Sequence, residues 1–157
     1  ITFSSVEEDF LDVLEGGLSN MKQLEDAVFI LSRFDNPTLR ESEYKRKLDR
    51  FAAMISDEVR YSLDDSQKMH KVLDFVFEEL EFTGSNTDYY NPQNSYLNQV
   101  IDRREGLPIS LALIVLFIAR RLDLPFHGIN MPIHFMLKFN ADMEEMLIDP
   151  FDQGKVV

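Results

Sequence analysis

The chain contains no cysteine. That excludes disulfides, thiolate metal sites and a thiol nucleophile together, and it fits a protein of the reducing cytoplasm. Cations are also scarce: 16 Lys and Arg against 28 Asp and Glu give a formal net charge of -12. A surface of that sign repels phosphate, so neither sequence-independent nucleic-acid binding nor an anionic membrane is an expected partner. Lys45-Arg46-Lys47 forms a basic cluster, but it lies in a charged helical stretch and reads as a solvated face. The longest apolar run, residues 109–119, is too short to cross a bilayer and ends in Arg120-Arg121, so it reads as a core helix. No secretory leader, repeat or low-complexity segment is visible. The sequence starts at Ile1 rather than Met and stops in a strand-like Lys155-Val156-Val157, so truncation at both ends is expected.

What is present suits one domain of residues 1–157 with a real core. Its 45% hydrophobic and 28% charged residues are ordinary for a globular protein. Ser4 and Ser5 cap a short helix through Val6, Phe10, Val13 and Leu14, which Gly16-Gly17 stops. Asn20 and Gln23 have capping-box spacing ahead of a helical face of Leu24, Ala27, Val28 and Leu31, ended by Asn36-Pro37. Thr38 and Glu41 repeat that spacing before Tyr44, Leu48, Phe51, Ile55 and Val59. Asp64-Asp65 restarts the chain before Met69, Val72, Leu73, Val76 and Leu80. Met69 reads as core filler rather than a cofactor ligand, and His70 as surface.

Residues 82–92 read as turns, and Asn94 or Ser95 as the cap of a short helix over residues 96–103, ended by Glu105-Gly106. Pro108 suits the first turn of the next helix, where its missing N–H costs nothing. Beyond Pro125 the period changes to two. Ile133, Phe135, Leu137 and Phe139 alternate with His134, Met136 and Lys138. Residues 127–131 suggest a strand before this one, and residues 146–149 a strand after it, stopped by Pro150. The pattern is α+β: a helical part over residues 1–88, then a central helix and a small antiparallel sheet over residues 89–157.

Three places invite chemistry. If the last strands pair as a hairpin, His134 and Asp149 meet on one face, and a carboxylate on one ring nitrogen leaves the other free as a base. The same pair also reads as a structural hydrogen bond at a sheet end. The start of the central helix is where a dipole would activate a nucleophile, but it runs Gly106-Leu107-Pro108-Ile109-Ser110. Ser110 is the nearby hydroxyl, read either as nucleophile or as a capping residue, and no Gly-x-Ser-x-Gly elbow is present. His127, His134 and Asp149 offer metal-ligand types without metal-site spacing, so neither a metal nor a cofactor is expected.

The series Tyr90-Asn91-Pro92, Asn94-Ser95-Tyr96-Leu97, Arg103-Arg104, Gly106 to Leu111, Ala119 to Leu122, Pro132, His134-Phe135 and Ile148-Asp149-Pro150-Phe151 resembles the SirB-like branch of the transglutaminase-like superfamily. The resemblance covers residues 89–157. It implies a papain-like core in which a central helix packs on an antiparallel sheet. Active members carry Cys, His and Asp. Here His134 and Asp149 match, and Pro108 stands at the Cys position, as is familiar in this branch. Ile133 replaces the glycine common before the His. Proline supplies neither a nucleophile nor an oxyanion N–H. The implied function is therefore a non-catalytic domain for protein binding or regulation, with a cleft lined by His134, Asp149, Ser110, Asn91, Asn94 and Tyr96. The alternative is a hydrolase or acyltransferase using Ser110 or a water activated by His134 and Asp149. For Asn91, Asn94 and Tyr96 the other reading is loop caps and packing.

Overall fold

The computed structural model describes residues 18–62, 64–132, 134–141 and 143–157. The helix expected through Val6 and Leu14 lies outside the described residues.

Helix α1, Leu18–Ser32, runs through Asn20, so the Asn20–Gln23 spacing marks no helix start. Its buried face is Met21, Leu24, Glu25, Val28, Phe29 and Ser32, while Leu31 is exposed. The expected face is thus rotated: Met21, Glu25 and Phe29 turn inward and Ala27 and Leu31 outward. Helix α2, Glu41–Arg60, buries Tyr44, Leu48, Phe51, Ile55 and Val59 as their spacing predicts. Its start is not the expected capping box. Arg40 holds the N-cap without a side-chain bond, and Thr38 Oγ1 donates to Asn36 Oδ1 instead. Helix α3, Asp65–Asp74, is capped by Asp64, which accepts from the Gln67 N–H at 2.8 Å. It continues as a π-helical turn, Phe75–Glu79, which buries three consecutive residues, Phe75, Val76 and Phe77.

The expected turn cluster after this helix holds a short strand. Strand β1, Thr83–Gly84, pairs in parallel with β2, Glu105–Gly106. Between them lie a 3-10 turn, Pro92–Asn94, and helix α4, Leu97–Arg103. Neither Asn94 nor Ser95 caps α4; Tyr96 holds that position, and Asn91 caps the 3-10 turn. Arg104 ends α4 in a left-handed conformation at φ 62°. Its guanidinium donates to the carbonyls of Ile101 and Leu80 and lies over the rings of Phe51 and Phe82. Those contacts hold an arginine where glycine is the usual choice.

Helix α5, Pro108–Arg121, is the centre of the core, with every residue from Ser110 to Ala119 buried. It packs against α1, α2 and the main sheet. That sheet is antiparallel in the order β3–β4–β5–β6: Phe126–Asn130, Phe135–Ala141, Glu144–Asp149 and Lys155–Val156. Leu137 opposes Ile148, and Phe139 opposes both Phe126 and Met146. The result is a mixed α+β arrangement. Among the described residues no helix is long and apolar enough to cross a membrane.

Candidate functional site

Hairpin β4–β5 brings His134 and Asp149 together, with His134 immediately before β4 rather than within it. His134 Nε2 lies 3.0 Å from Asp149 Oδ2. That nitrogen is buried, yet its N–H is not aimed at the oxygen, and it makes no aligned hydrogen bond. The contact is a close approach between imidazole and carboxylate rather than a formed donor–acceptor pair. The other Asp149 oxygen is fully used. Oδ1 accepts from the N–H groups of Phe151 at 2.9 Å and Asp152 at 3.3 Å. This turn was readable in Asp149-Pro150-Phe151-Asp152, because Asp commonly accepts from the backbone two residues on. Met131, Pro132 and Met136 join His134 around a cavity of about 250 Å³.

Pro108 is the first residue of α5 and is buried. The Ser110 hydroxyl accepts from the Leu107 N–H at 2.9 Å and donates to the Asn94 carbonyl at 2.8 Å. It is 1% exposed, and its single proton is committed to a backbone oxygen rather than to His134. A methyl group on Gly106 would stand 2.6 Å from Ser110 Oγ, so glycine is what lets this hydroxyl close the turn.

Asn94 is fully buried. Its amide donates to the carbonyls of Asp88 and Tyr89, and its oxygen accepts from Arg103. Asn91 accepts from the Gln93 N–H and donates to Asp88. Both asparagines therefore shape the loop ahead of α4. Tyr96 and Ser110 line a separate cavity of about 360 Å³ with Val28, Leu31, Ile109 and Leu113. The residues expected in one cleft are thus divided between two cavities, with His134 in one and Tyr96 and Ser110 in the other.

His127 is opposite Lys138 in β4, four positions from His134. At about 3.3 Å per residue that is roughly 13 Å, too far for shared ligation. Burial, and then the Lys138 charge, lower the His127 pKa. Among the described residues no three His, Asp or Glu side chains converge as ligands.

The central helix α5 thus packs on an antiparallel sheet, and His134 meets Asp149 where β4 begins and β5 ends. The profile of the transglutaminase-like superfamily matches residues 42–157, and the chain belongs to that superfamily. Among individual relatives, it is 35% identical over 132 residues to a UPF0162 protein of Xylella fastidiosa, covering 84% of this chain and 47% of that protein. A UPF0162 protein of Vibrio cholerae is 29% identical over 160 residues, covering 96% of this chain and 53% of the relative. A human F-box only protein 21 is 43% identical over 77 residues, 49% of this chain and 12% of that protein. The chain thus spans about half the length of the UPF0162 relatives. No solved structure matches it.

Proposed function

We propose that this chain is a SirB-like transglutaminase domain with a papain-like core that has lost thiol chemistry and serves to bind a protein partner. The observation that carries the reading is at the head of α5. Pro108 occupies the first helical position, where the resemblance maps the family's nucleophile. Proline fits a helix start but has no nucleophilic atom and no N–H for an oxyanion. The nearest hydroxyl, on Ser110, is buried and bonded to the backbone, which disfavours the serine-based alternative. His134 and Asp149 then remain as a polar edge to a binding face. Matching 12% of a human F-box only protein is in keeping with a domain that works inside a larger chain.

The test is an acyl-transfer and hydrolysis screen with glutaminyl amides and simple esters. No turnover above buffer is expected, and His134→Ala changes nothing. Turnover that disappears in His134→Ala overturns the reading. Pro108→Cys tests the mapping separately, since it installs the sole thiol of the chain. If the mapping holds, that thiol stands at a helix N-terminus beside the His134 imidazole and titrates below the free value of about 8.5. His134→Ala raises it; a thiol indifferent to His134 refutes the mapping.

A further inference from the structure

We infer that the aromatic face formed by Tyr89, Tyr90 and Phe151, bordering Asp149, is the docking surface for a basic, extended peptide segment of the partner. The inference rests on the reading of this chain as a binding domain and names the chemistry of what is bound. Tyr90 is 94% exposed and Tyr89 is 41% exposed, although both are large and apolar over most of their surface. They are nevertheless ordered against each other. Their rings meet edge to face with centroids 5.2 Å apart, and Tyr89 meets Phe151 the same way at 5.9 Å. Contiguous exposed aromatics of this kind mark interaction surfaces, and tyrosine is enriched where binding energy concentrates.

The cluster is built on rigid supports. The Phe151 N–H is held by Asp149 Oδ1, and the ring lies so close to Gly84 that an added methyl would stand 2.8 Å from it. The carbonyls of Asp88 and Tyr89 are held by the buried Asn94 amide. Asp149 thus touches His134 with one oxygen and sets the aromatic face with the other.

Charge selects the partner. Residues 85–92 and 149–153 contain Asp88, Asp149 and Asp152 and neither Lys nor Arg. Lys155 follows in β6, opposite Asp149. Tyrosine rings flanked by carboxylates fit Lys and Arg side chains, which stack on the ring faces while the acids draw them in. A peptide of like charge would be repelled, and a purely aliphatic one would gain nothing from the acidic surroundings.

The experiment is calorimetric titration of the protein with a ten-residue peptide of alternating Arg and Gly, against a Glu-Gly peptide of the same length. The chain has no tryptophan, so tyrosine fluorescence provides a second readout. The Arg peptide binds and the Glu peptide does not. Tyr90→Ala weakens binding about threefold and Tyr89→Ala/Tyr90→Ala about tenfold, the range of exposed cation–π contacts. Tyr90→Phe retains it. Tyr61→Ala, another exposed tyrosine at the end of α2, is the control and binds as wild type. Circular dichroism establishes that each variant is folded. Equal binding by wild type and the double variant, or an equal loss in Tyr61→Ala, overturns the inference and leaves only diffuse attraction to an acidic protein. Acyl transfer lost in His134→Ala would instead refute the non-catalytic reading, so the two failures are distinguishable.

Discussion

Replacing Glu25 by alanine tests how α1 is held to the rest of the molecule. Glu25 is 2% exposed, and its carboxylate takes both terminal nitrogens of Arg121, at 2.5 and 2.9 Å. Arg120 adds a longer contact at 3.6 Å. Arg121 also reaches Asp49 at 2.6 Å and the Phe117 carbonyl at 3.0 Å, so one guanidinium joins α1, α2 and the end of α5. Burial alone would lower the Arg121 pKa, but the hydrogen bonds to Glu25 and Asp49 and their charges raise it instead. Removing one partner of a buried pair leaves the other charge uncompensated and costs about 3–5 kcal/mol. Arg121 keeps Asp49 and a carbonyl, so the lower end, about 3 kcal/mol, is expected.

Urea unfolding reads this directly. With a slope of about 2 kcal/mol/M for a chain of this size, the midpoint falls by about 1.5 M. Melting falls by about 6–12 °C. Glu25→Leu/Arg121→Met recovers most of the loss, because it leaves no buried charge alone. Glu58→Ala is the comparison: its pair with Lys71, at 3.7 Å, is exposed, and the variant shifts stability by less than about 0.5 kcal/mol. A Glu25→Ala loss below about 1 kcal/mol, or one equal to Glu58→Ala, would show that the buried pair does not secure α1.

Two further outcomes follow from the head of α5 and from the sheet. Gly106→Ala places a methyl 2.6 Å from Ser110 Oγ and is expected to cost about 1–3 kcal/mol. Ser110→Ala costs about 1–3 kcal/mol by stranding the Leu107 N–H and the Asn94 carbonyl. The double variant loses less than the sum, because the clashing atom is gone; strict additivity in denaturation curves would refute the shared contact. His127 gives a pH dependence. Its folded pKa lies below the ordinary 6.5, through burial and then Lys138. The unfolded chain therefore takes up a proton first as pH falls. The stability tied to the neutral ring is complete above pH 6.5 and declines through the window below it. His127→Gln flattens that part of the stability–pH curve, and an unchanged slope below pH 6.5 would refute the assignment.

Residues 108–121 were legible because their pattern leaves one solution. A helix apolar on every side must be buried, and proline at its start needs no N–H donor. Strand parity and the Asp149-Pro150 stop were enough to bring His134 towards Asp149. Other features had no local signal. Strands β1 and β2 are two residues each, too short to show a period, and they pair across about twenty intervening residues. Glu25 looks like surface until Arg121, 96 positions away, is placed beside it. Arg104 in a left-handed turn contradicts residue preference and stands only because Phe51, Phe82 and two carbonyls receive its side chain.

The same division separates scaffold from chemistry. Polar residues near the head of α5 that looked available in the sequence are mostly consumed by the fold: Ser110 by Leu107 and Asn94, Asn94 by Asp88 and Tyr89, Asn91 by Gln93. A polar group with all its bonds made inside the protein has little left to offer a substrate. What stays available is different in kind. Tyr90 projects almost wholly into solvent, while the His134 Nε2, though itself buried, lacks an aligned partner. Asp149 connects the two, since one carboxylate oxygen approaches the imidazole and the other fixes the turn that carries Phe151 beneath Tyr89. A carboxylate that orients a histidine in an acyl-transfer site needs only the first of those contacts. The second gives Asp149 a structural role that holds whether or not the site is catalytic.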